Sequence, residues 1–482
     1  MNTWRPLGNR DVKLVPWLRY LTPDEKQIAV AGLSCATAAR KARIVQAGEP
    51  SAWWYGVLQG MLKVGGRGGD GASFTFSAIP AGGWFGEGTM LEGGVYRYEV
   101  EALQSSLIAR LDSVRFHQLA QASIGFSRFL VEQINERLGQ LIAARAIERM
   151  ESPEERLAHG LHWLSHPRLF PGVGASIAIS QEELAMLVDI SRRRVHEGLV
   201  ALERRGLVRL AYGSVELLDR DGLVADPGAV LRPQEDERSG KTGSSTADDS
   251  RFRRRNVQPG ELDMVHWLPL LSSEHQAIAR AALSVLEVPA GAQISRPNVP
   301  ATRWCGTLSG LLKMSSDYPD GRSVTYAGLP PSAWFGEGTV LKRERSRSTV
   351  EALRDSEVAA LRATEFLWLA ENSLQFSAFL LDHLKARLSQ FMALRETARS
   401  PSLEMRVARS LALTLHPVLC PRVGPSLMFS QHELALLVGA SRSRVSGALQ
   451  ALQRRGAVRI GYGGVSVQDV AVLRELAQLP PP

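Results

Sequence analysis

Alternating apolar and polar positions, interrupted by glycine and proline, dominate the early part of the chain. Residues 55–64 ("YGVLQGMLKV") and residues 71–87 ("GASFTFSAIPAGGWFGE") are examples. A period of two places successive side chains on opposite faces of a strand, and glycine or proline favours a turn between strands. The pattern therefore predicts antiparallel β-structure.

A helical period follows the predicted strands. Its apolar positions recur at a spacing of three or four residues, which puts them on one face of a helix. In the first half of the chain these positions are Leu130, Ile134, Leu138, Leu141 and Ile142. In the second half they are Leu380, Leu384, Leu388 and Phe391. We predict a long helix with an apolar stripe in each half.

Two short helices with a tight turn are predicted within residues 180–209 ("SQEELAMLVDISRRRVHEGLVALERRGLVR"). Ser180 and Glu183 have the spacing of a capping box, and Ser191 can cap the second helix. The inward positions of the pair are Leu184, Leu187, Val188, Val195, Leu199 and Leu202. Because the second helix begins with exposed basic residues and a predicted hairpin follows ("VRLAYGSVELL"), the segment fits a winged helix-turn-helix.

The whole arrangement occurs twice, at a fixed offset of 250 residues. Residues 430–459 repeat residues 180–209 with nineteen of thirty positions identical. Trp17 matches Trp267, Trp54 matches Trp304, and "WFGEGT" at residues 84–89 recurs at residues 334–339. One register holds along most of the chain, so the sequence is a tandem duplication of a multidomain unit.

Residues 226–261 separate the copies and are rich in Pro, Gly, Ser and charged residues, a composition typical of a disordered linker. We interpret Arg253–Arg255 within it as a solvated charge run, with contact to a polyanion as the alternative. As a flexible coil this segment would span about 33 Å. The predicted domains are a β-roll (1–122), a long helix (123–150), a winged helix-turn-helix (151–225), the linker (226–261), and then a second β-roll (262–372), long helix (373–400) and winged helix-turn-helix (401–482).

Composition narrows the function classes. The chain of 482 residues carries a net charge of +8, which is compatible with a polyanionic partner. It contains neither an apolar run of membrane-spanning length nor a signal peptide, so we expect a cytoplasmic protein with no membrane partner. Cys35, Cys305 and Cys420 are far apart, which argues against a disulfide framework and against zinc or iron–sulfur ligation.

The order of β-roll with "FGE", long helix and winged helix with "SR…V" resembles the Crp/Fnr (cyclic-AMP receptor and fumarate-nitrate regulator) transcription factors. The resemblance covers most of each copy. It implies an α+β fold: two copies of a β-roll like those that bind cyclic nucleotides, each with a dimerisation-type helix followed by a winged helix-turn-helix. It also implies double-stranded DNA and RNA polymerase as partners.

The resemblance assigns DNA-binding positions residue by residue. Arg192 and Arg442 fall on the arginine that reads base edges, and Ser191 and Ser441 fall on the serine near the phosphate backbone. Two further base-reading positions correspond to Arg193 and Glu197 in the first copy and to Ser443 and Gly447 in the second, so there the copies disagree. Further contacts are predicted from Arg194, His196, Arg444 and Ser446.

The "FGEG" segments resemble the phosphate-binding cassette of that family. Gly86 and Gly336 would form the turn, Glu87 and Glu337 would hold a ribose hydroxyl, and Arg97 and Arg347 would pair with a phosphate. The residue after the arginine should be small; it is Ser348 in the second copy but Tyr98 in the first. A tight β-roll turn with no ligand is the alternative interpretation for both copies.

Where the cyclic-AMP receptor has hydroxyl residues that reach the adenine, this chain has Leu141–Ile142 and Phe391–Met392. Apolar side chains cannot hydrogen-bond a base. We therefore assign no cofactor, and expect a nucleotide-like effector other than cyclic AMP.

The family acts as dimers, so the duplication predicts a monomeric chain in which the two copies form a pseudo-dimer. The alternative function is an effector-independent architectural protein or repressor with degenerate pockets. A cupin-like metalloenzyme is a remote alternative, because residues 36–115 and 286–365 contain no histidine to ligate a metal. We predict that the chain is not an enzyme.

Overall fold

The computed structural model describes residues 3–67, 73–147, 152–224, 251–317, 323–396, 402–427, 429–461, 464–477 and 479. The chain divides into two compact units, Met1–Asp226 and Pro227–Pro482. Each unit contains one β-roll, one long helix and one winged helix-turn-helix.

The first β-roll is built from two antiparallel sheets, with strand orders β1-β2-β9-β4-β7 and β3-β8-β5-β6. Its strands are β1 (Arg5–Pro6), β2 (Leu33–Ala38), β3 (Arg43–Val45), β4 (Trp53–Gln59), β5 (Met61–Arg67), β6 (Ser73–Pro80), β7 (Trp84–Phe85), β8 (Glu99–Ala102) and β9 (Ser106–Asp112). Gly60, in the tight turn between β4 and β5, has φ +93°. A Cβ there would lie 2.3 Å from Oγ of Ser106, so this turn requires glycine.

The helices of the first unit include those that the sequence predicts, the long helix and the helix-turn-helix pair. They are α1 (Asn9–Val12), α2 (Pro23–Gly32), α3 (Glu87–Glu92), α4 (Ser113–Ala122), α5 (Ile124–Ile147), α6 (Pro153–Leu164), α7 (Gln181–Val188) and α8 (Arg192–Arg204). The wing hairpin is β11 (Val208–Ala211) with β12 (Ser214–Leu217), and β10 (Ser176–Ile177) pairs with β12. The α5 stripe is fully buried at Leu130 and Ile134, as its helical period predicts.

The second unit repeats this order. Its strands are β13 (Arg253–Arg255), β14 (Leu283–Val288), β15 (Gln293–Ser295), β16 (Arg303–Ser309), β17 (Leu312–Asp317), β18 (Ser323–Leu329), β19 (Trp334–Phe335), β20 (Thr349–Ala352), β21 (Ser356–Arg362), β22 (Ser426–Leu427), β23 (Val458–Gly461) and β24 (Gly464–Val467). Its helices are α9 (Ser273–Ala282), α10 (Glu337–Lys342), α11 (Ala363–Asn372), α12 (Leu374–Glu396), α13 (Leu403–Thr414), α14 (Gln431–Val438), α15 (Arg442–Arg454) and α16 (Val470–Leu476).

Three tryptophans form the centre of each β-roll. In the first unit, the ring centroids of Trp17 and Trp54 are 5.4 Å apart, and those of Trp54 and Trp84 are 4.4 Å apart. Phe126 of α5 packs edge-on against Trp17 at 5.2 Å. The second unit repeats the cluster with Trp267, Trp304, Trp334 and Phe376. This packing joins the N-terminal segment, the sheet and the long helix of each unit.

The predicted linker needs a correction at its C-terminal end. Residues 225–250 lie outside the described residues, but residues 251–261 are folded: Arg253–Arg255 pair as β13 with the edge of β14. Arg255 donates to Glu261 at 2.5 Å and to Glu357 at 2.7 Å. The prediction that a disordered linker extends to residue 261 is therefore wrong, although Arg253 and Arg254 are exposed to solvent and only Arg255 is partly buried. Composition misses the strand because its acidic partner Glu357 is distant in sequence.

Within each unit, the β-roll packs directly on the winged helix domain. In the first unit Gly82 and Gly172 meet backbone to backbone, and a Cβ on Gly82 would lie 2.4 Å from the Gly172 nitrogen. The equivalent residues in the second unit are Ser332 and Arg422. There the Arg422 N–H donates to the Ser332 hydroxyl at 3.1 Å, while Ser332 keeps the positive φ of the glycine, +67°. The turn that precedes each "FGEG" segment is thus in contact with the winged helix domain.

We expect Gly56→Ala to lower the free energy of unfolding of the first unit by about 1–3 kcal/mol, because it overpacks the tryptophan cluster. A Cβ on Gly56 would lie 2.3 Å from the Trp84 indole, whereas a Cβ on Gly174 would meet nothing within 4 Å. Urea denaturation of the two variants measures the difference. Equal stability of Gly56→Ala and the control Gly174→Ala would contradict the packing argument.

Candidate DNA and effector sites

The recognition helices α8 and α15 begin as the sequence predicts. Ser180 and Glu183 form a complete capping box at α7, and Ser430 and Glu433 do the same at α14. Ser191 accepts a hydrogen bond from the Arg194 N–H at the start of α8. Ser441 has the same place in α15, but its hydroxyl lies 3.2 Å from that of Ser443.

The predicted base-reading residues lie on the exposed N-terminal halves of these helices. Arg192, Arg193 and Arg194 are exposed, while Val195 is buried in the core of the domain. Arg442, Ser443 and Arg444 have the same exposure in α15. A row of basic side chains at the exposed N-terminus of a helix is suited to the major groove of DNA.

The first copy places an ion pair on its reading surface. Arg193 donates from Nε to Oε1 of Glu197 at 2.8 Å, and both side chains are more than half exposed. His196 is also exposed and lies 3.4 Å from the Gln181 amide nitrogen. In the second copy, Ser443 and Gly447 replace this pair, and Ser446 is half-buried. The surfaces therefore share Arg192/Arg442 and Arg194/Arg444 and differ beside them.

The capping glutamates also connect the helix-turn-helix to its β-roll, with a different arginine in each unit. Arg354 lies 2.8 Å from Glu433, and Thr325 donates to the Leu436 carbonyl at 3.4 Å. In the first unit, Arg40 lies 3.9 Å from Glu183 and is largely exposed. Exposed pairs contribute little, so the docking contact of the second unit is the stronger one.

The "FGEG" turns have the geometry that the glycine pattern implies. Gly86 and Gly336 both have φ +90°, in the left-handed region, and each is followed by a buried glutamate. Glu87 and Glu337 are only 3% exposed. We refer to residues 85–88 and 335–338 as the first and second FGEG turns.

An arginine of the long helix holds each buried glutamate. Arg137 of α5 donates to Glu87 at 2.5 Å and also to the Trp84 carbonyl. Arg387 of α12 donates to Glu337 at 3.3 Å and to the Trp334 carbonyl at 2.6 Å. In each pair, the glutamate Oε2 is buried and accepts no hydrogen bond from the described residues. The predicted ribose-binding carboxylates are thus already paired, with one oxygen left to accept.

Sequence reasoning missed these two arginines. Arg137 lies three residues after Ile134 and seven after Leu130, so it falls on the apolar stripe of α5, and Arg387 does the same in α12. A charge on an apolar stripe, repeated at the same place in both copies, was the signal that could have found them.

A buried histidine distinguishes the second pair. His383 is fully buried with its Nε2 3.6 Å from Glu337, and the first copy has Gln133 at this position. Burial, opposed by the Glu337 charge, lowers the pKa of His383 to about 4. Burial is the largest single influence and would raise the pKa of Glu337, but the Arg387 and His383 charges, together with hydrogen bonds from Arg387 and the backbone, hold that pKa below its usual value. His383 is therefore neutral and Glu337 ionised near pH 7.

The predicted phosphate-binding arginines are not the residues that pair with Glu87 and Glu337. Arg97 and Arg347 are exposed, and Arg347 pairs with Glu344 at 3.3 Å. Of the base-facing positions, Leu141 and Ile142 are half-buried, and Phe391 packs against Tyr326 with centroids 5.8 Å apart. The Met392 side chain lies outside what the structure describes.

Metal and membrane roles find no support in the described part of the chain. No three His, Cys, Asp or Glu side chains there are grouped to hold a metal ion. The three cysteines are buried and unbridged. None of the described helices combines the length and the apolar character needed to cross a bilayer.

Two family models match this chain, and each matches it twice. A cyclic nucleotide-binding domain matches residues 37–123 and 285–373. A Crp-like helix-turn-helix domain matches residues 155–225 and 405–476. The four matches coincide with the two β-rolls and the two winged helix domains.

Similar proteins correspond to one copy at a time. The cyclic AMP receptor protein of Thermus thermophilus is 37% identical over 172 residues, which are 35% of this chain and 76% of that protein. The transcriptional regulator LdrP of Thermus thermophilus is 30% identical and covers 40% of this chain and 96% of its own length. The crystal structure of the Thermus thermophilus catabolite activator protein is 28% identical, with coverages of 46% and 96% and a TM-score of 0.23.

We expect His383→Gln to flatten the acid-induced loss of stability of the second unit. The native pKa of about 4 lies below the ordinary 6.5, so the unfolded chain binds the extra proton. The stability that neutral His383 contributes is complete when the pH is above the ordinary pKa of 6.5. It is lost as the pH falls from there toward the native pKa of about 4. The slope should decrease by about 1 kcal/mol per pH unit within that window.

Urea denaturation at several pH values measures this slope. His432→Gln, on the exposed side of α14, is the control for the substitution itself. An unchanged slope in His383→Gln would show that burial of this imidazole is not what makes the unit acid-sensitive.

Proposed function

Because the chain belongs to the Crp/Fnr family of transcriptional regulators, as a tandem duplication of one family unit, we propose that it binds specific double-stranded DNA and regulates transcription. The observation that carries this proposal is the pair of exposed arginine rows at equivalent positions of α8 and α15. Arginine at the start of such a helix can donate two hydrogen bonds to guanine in the major groove.

We infer that the two readers recognise unequal half-sites. Arg192 and Arg442 would each specify one shared base pair. Beside Arg192, the first copy presents the Arg193–Glu197 pair, and Glu197 could accept from a cytosine amino group. Gly447 has no side chain, so the second copy would specify fewer bases and rely more on phosphate contacts. The favoured site is therefore an imperfect palindrome.

We further propose that one chain forms the DNA-binding pseudo-dimer. A family unit needs a second unit to present two recognition helices along one face of the DNA, and the second copy supplies it within the chain. Fusion also permits the two readers to differ, which a homodimer forbids. RNA polymerase is the proposed protein partner, by analogy with the family.

The effector of this regulator would be a nucleotide-like anion. Two cyclic nucleotide-binding domains match the chain, and each has a buried glutamate whose Oε2 could accept from a ribose hydroxyl. The apolar residues on the long helices give no hydrogen bonds to a base, so weak binding of cyclic AMP itself is expected.

We expect the purified chain to sediment as a monomer of 52.7 kDa and to bind its site as one chain per duplex. Sedimentation velocity, with and without DNA, measures both masses. A stable dimer at micromolar concentration, or two chains on one site, would contradict the pseudo-dimer.

We expect Arg192→Ala to weaken DNA binding by about 1–3 kcal/mol and to relax preference at one base pair of one half-site. Arg442→Ala is the matched variant and should relax the equivalent base pair of the other half-site. Selection of bound sequences from a random DNA pool measures both effects. A perfect palindrome, or loss of preference in both half-sites from one substitution, would overturn the unequal readers.

A further inference from the structure

The two FGEG turns differ in the residues that follow them in the sequence. The first is followed by Tyr96, Arg97 and Tyr98, and the second by Ser346, Arg347 and Ser348. The arginine is the same in both copies, but two phenol rings of the first copy correspond to two hydroxymethyl groups in the second.

Tyr96 closes over the first turn. It is 2% exposed, and its hydroxyl donates to the Trp53 carbonyl at 2.6 Å. A Cβ built on Gly86 would lie 2.9 Å from both Cε1 and Oη of Tyr96. The glycine backbone that should approach a phosphate is therefore in contact with an aromatic ring.

Tyr98 lies beside Tyr96 and is partly buried. Its ring packs against Tyr96 with centroids 5.6 Å apart. Burial, and then the Glu87 charge, raise the pKa of Tyr98, while the Arg137 charge and a hydrogen bond with the Thr89 side chain oppose them. The Tyr98 phenol therefore interacts electrostatically with Glu87 and Arg137, the pair beside which the resemblance would place the sugar of a nucleotide.

The serines of the second copy bond locally instead. The Ser346 hydroxyl lies 2.8 Å from that of Ser295 and donates to the Ser348 carbonyl at 3.0 Å. A Cβ built on Gly336 would have no described atom outside its chain neighbours within 4 Å. The second turn therefore remains approachable in the way that a backbone phosphate site requires.

We propose that the first copy is self-liganded: Tyr96 and Tyr98 fill its effector pocket permanently, and only the second copy takes a nucleotide. This inference rests on the proposed function, because it takes the FGEG turns to be effector sites. The first β-roll would then have one conformation, whereas the conformation of the second would change when a nucleotide binds.

This division would give the two DNA readers different roles. Each turn follows directly from the contact between β-roll and winged helix, Gly82 with Gly172 or Ser332 with Arg422. A fixed first pocket would fix the first reader, and effector binding would act on the second. The regulator would bind one half-site whether or not the effector is present, and its binding to the other half-site would depend on the effector.

The experiment is equilibrium dialysis of the full chain with cyclic AMP at millimolar concentration, which detects weak binding. Cyclic AMP carries the ribose and phosphate that any cyclic nucleotide presents. The wild type should bind about one equivalent, Tyr96→Ser/Tyr98→Ser about two, and Ser346→Tyr/Ser348→Tyr close to none, because each pair of substitutions gives one pocket the residues of the other.

Tyr98→Phe is the conservative control. It retains the ring and should remain at one equivalent, which separates filling of the pocket from loss of the hydroxyl. If Tyr96→Ser/Tyr98→Ser does not fold, the numbers of nucleotides bound by the wild type and by Ser346→Tyr/Ser348→Tyr still test the proposal. Two equivalents in the wild type, none in the wild type, or no gain in a folded Tyr96→Ser/Tyr98→Ser would each overturn the proposal.

DNA binding is measured on the same proteins without nucleotide. If the chain binds no specific DNA yet shows the expected nucleotide stoichiometry, the proposed regulatory function fails and the self-liganded pocket stands. If DNA binding is specific but the stoichiometries do not change, only the self-liganded pocket fails.

Discussion

Three indole rings in each unit fix the position of everything that surrounds the FGEG turn. Trp17, Trp54 and Trp84 come from the N-terminal segment, the sheet and the strand immediately before the FGEG turn, and Phe126 adds the long helix. All four side chains are fully or almost fully buried. The turn and the helix are therefore positioned against one rigid cluster, which lets Arg137 reach both the Trp84 carbonyl and Glu87. The cluster is duplicated with centroid distances that agree to within 0.2 Å for the matched pairs.

The local sequence pattern predicted the helices and strands. It could not predict ion pairs between residues that are far apart in sequence. The capping serines Ser180 and Ser191 and the apolar stripe of α5 are local signals, so both helix-turn-helix elements and both long helices were predictable. The pairing of Arg255 with Glu357 and of Arg137 with Glu87 depends on residues far apart in sequence. Composition therefore misclassified residues 251–261, and glutamates assigned to a ligand were found with arginine partners.

The duplication provides an internal comparison of one backbone under two sets of side chains. The tryptophan clusters and the arginines that hold the FGEG turns are the same in both copies. The side chains differ at three places: after the FGEG turns, on the recognition helices, and where each β-roll packs on its winged helix domain. Ser332 shows how far the backbone resists change, because it retains the left-handed conformation that a glycine adopts in the first unit. At these places different side chains are carried on closely similar backbone.

Two similar β-rolls on one chain carry a risk of domain swapping during folding, since each edge strand could pair with the wrong sheet. The ion pairs of β13 oppose this error. Arg255 bonds to Glu357 on β21, but Leu107 has the corresponding place on β9, so β13 paired with the first sheet would lose that partner. A strand placed on the wrong copy would leave this arginine without one of its carboxylates. The Arg255–Glu357 pair therefore favours the correct pairing of β13 with its own sheet.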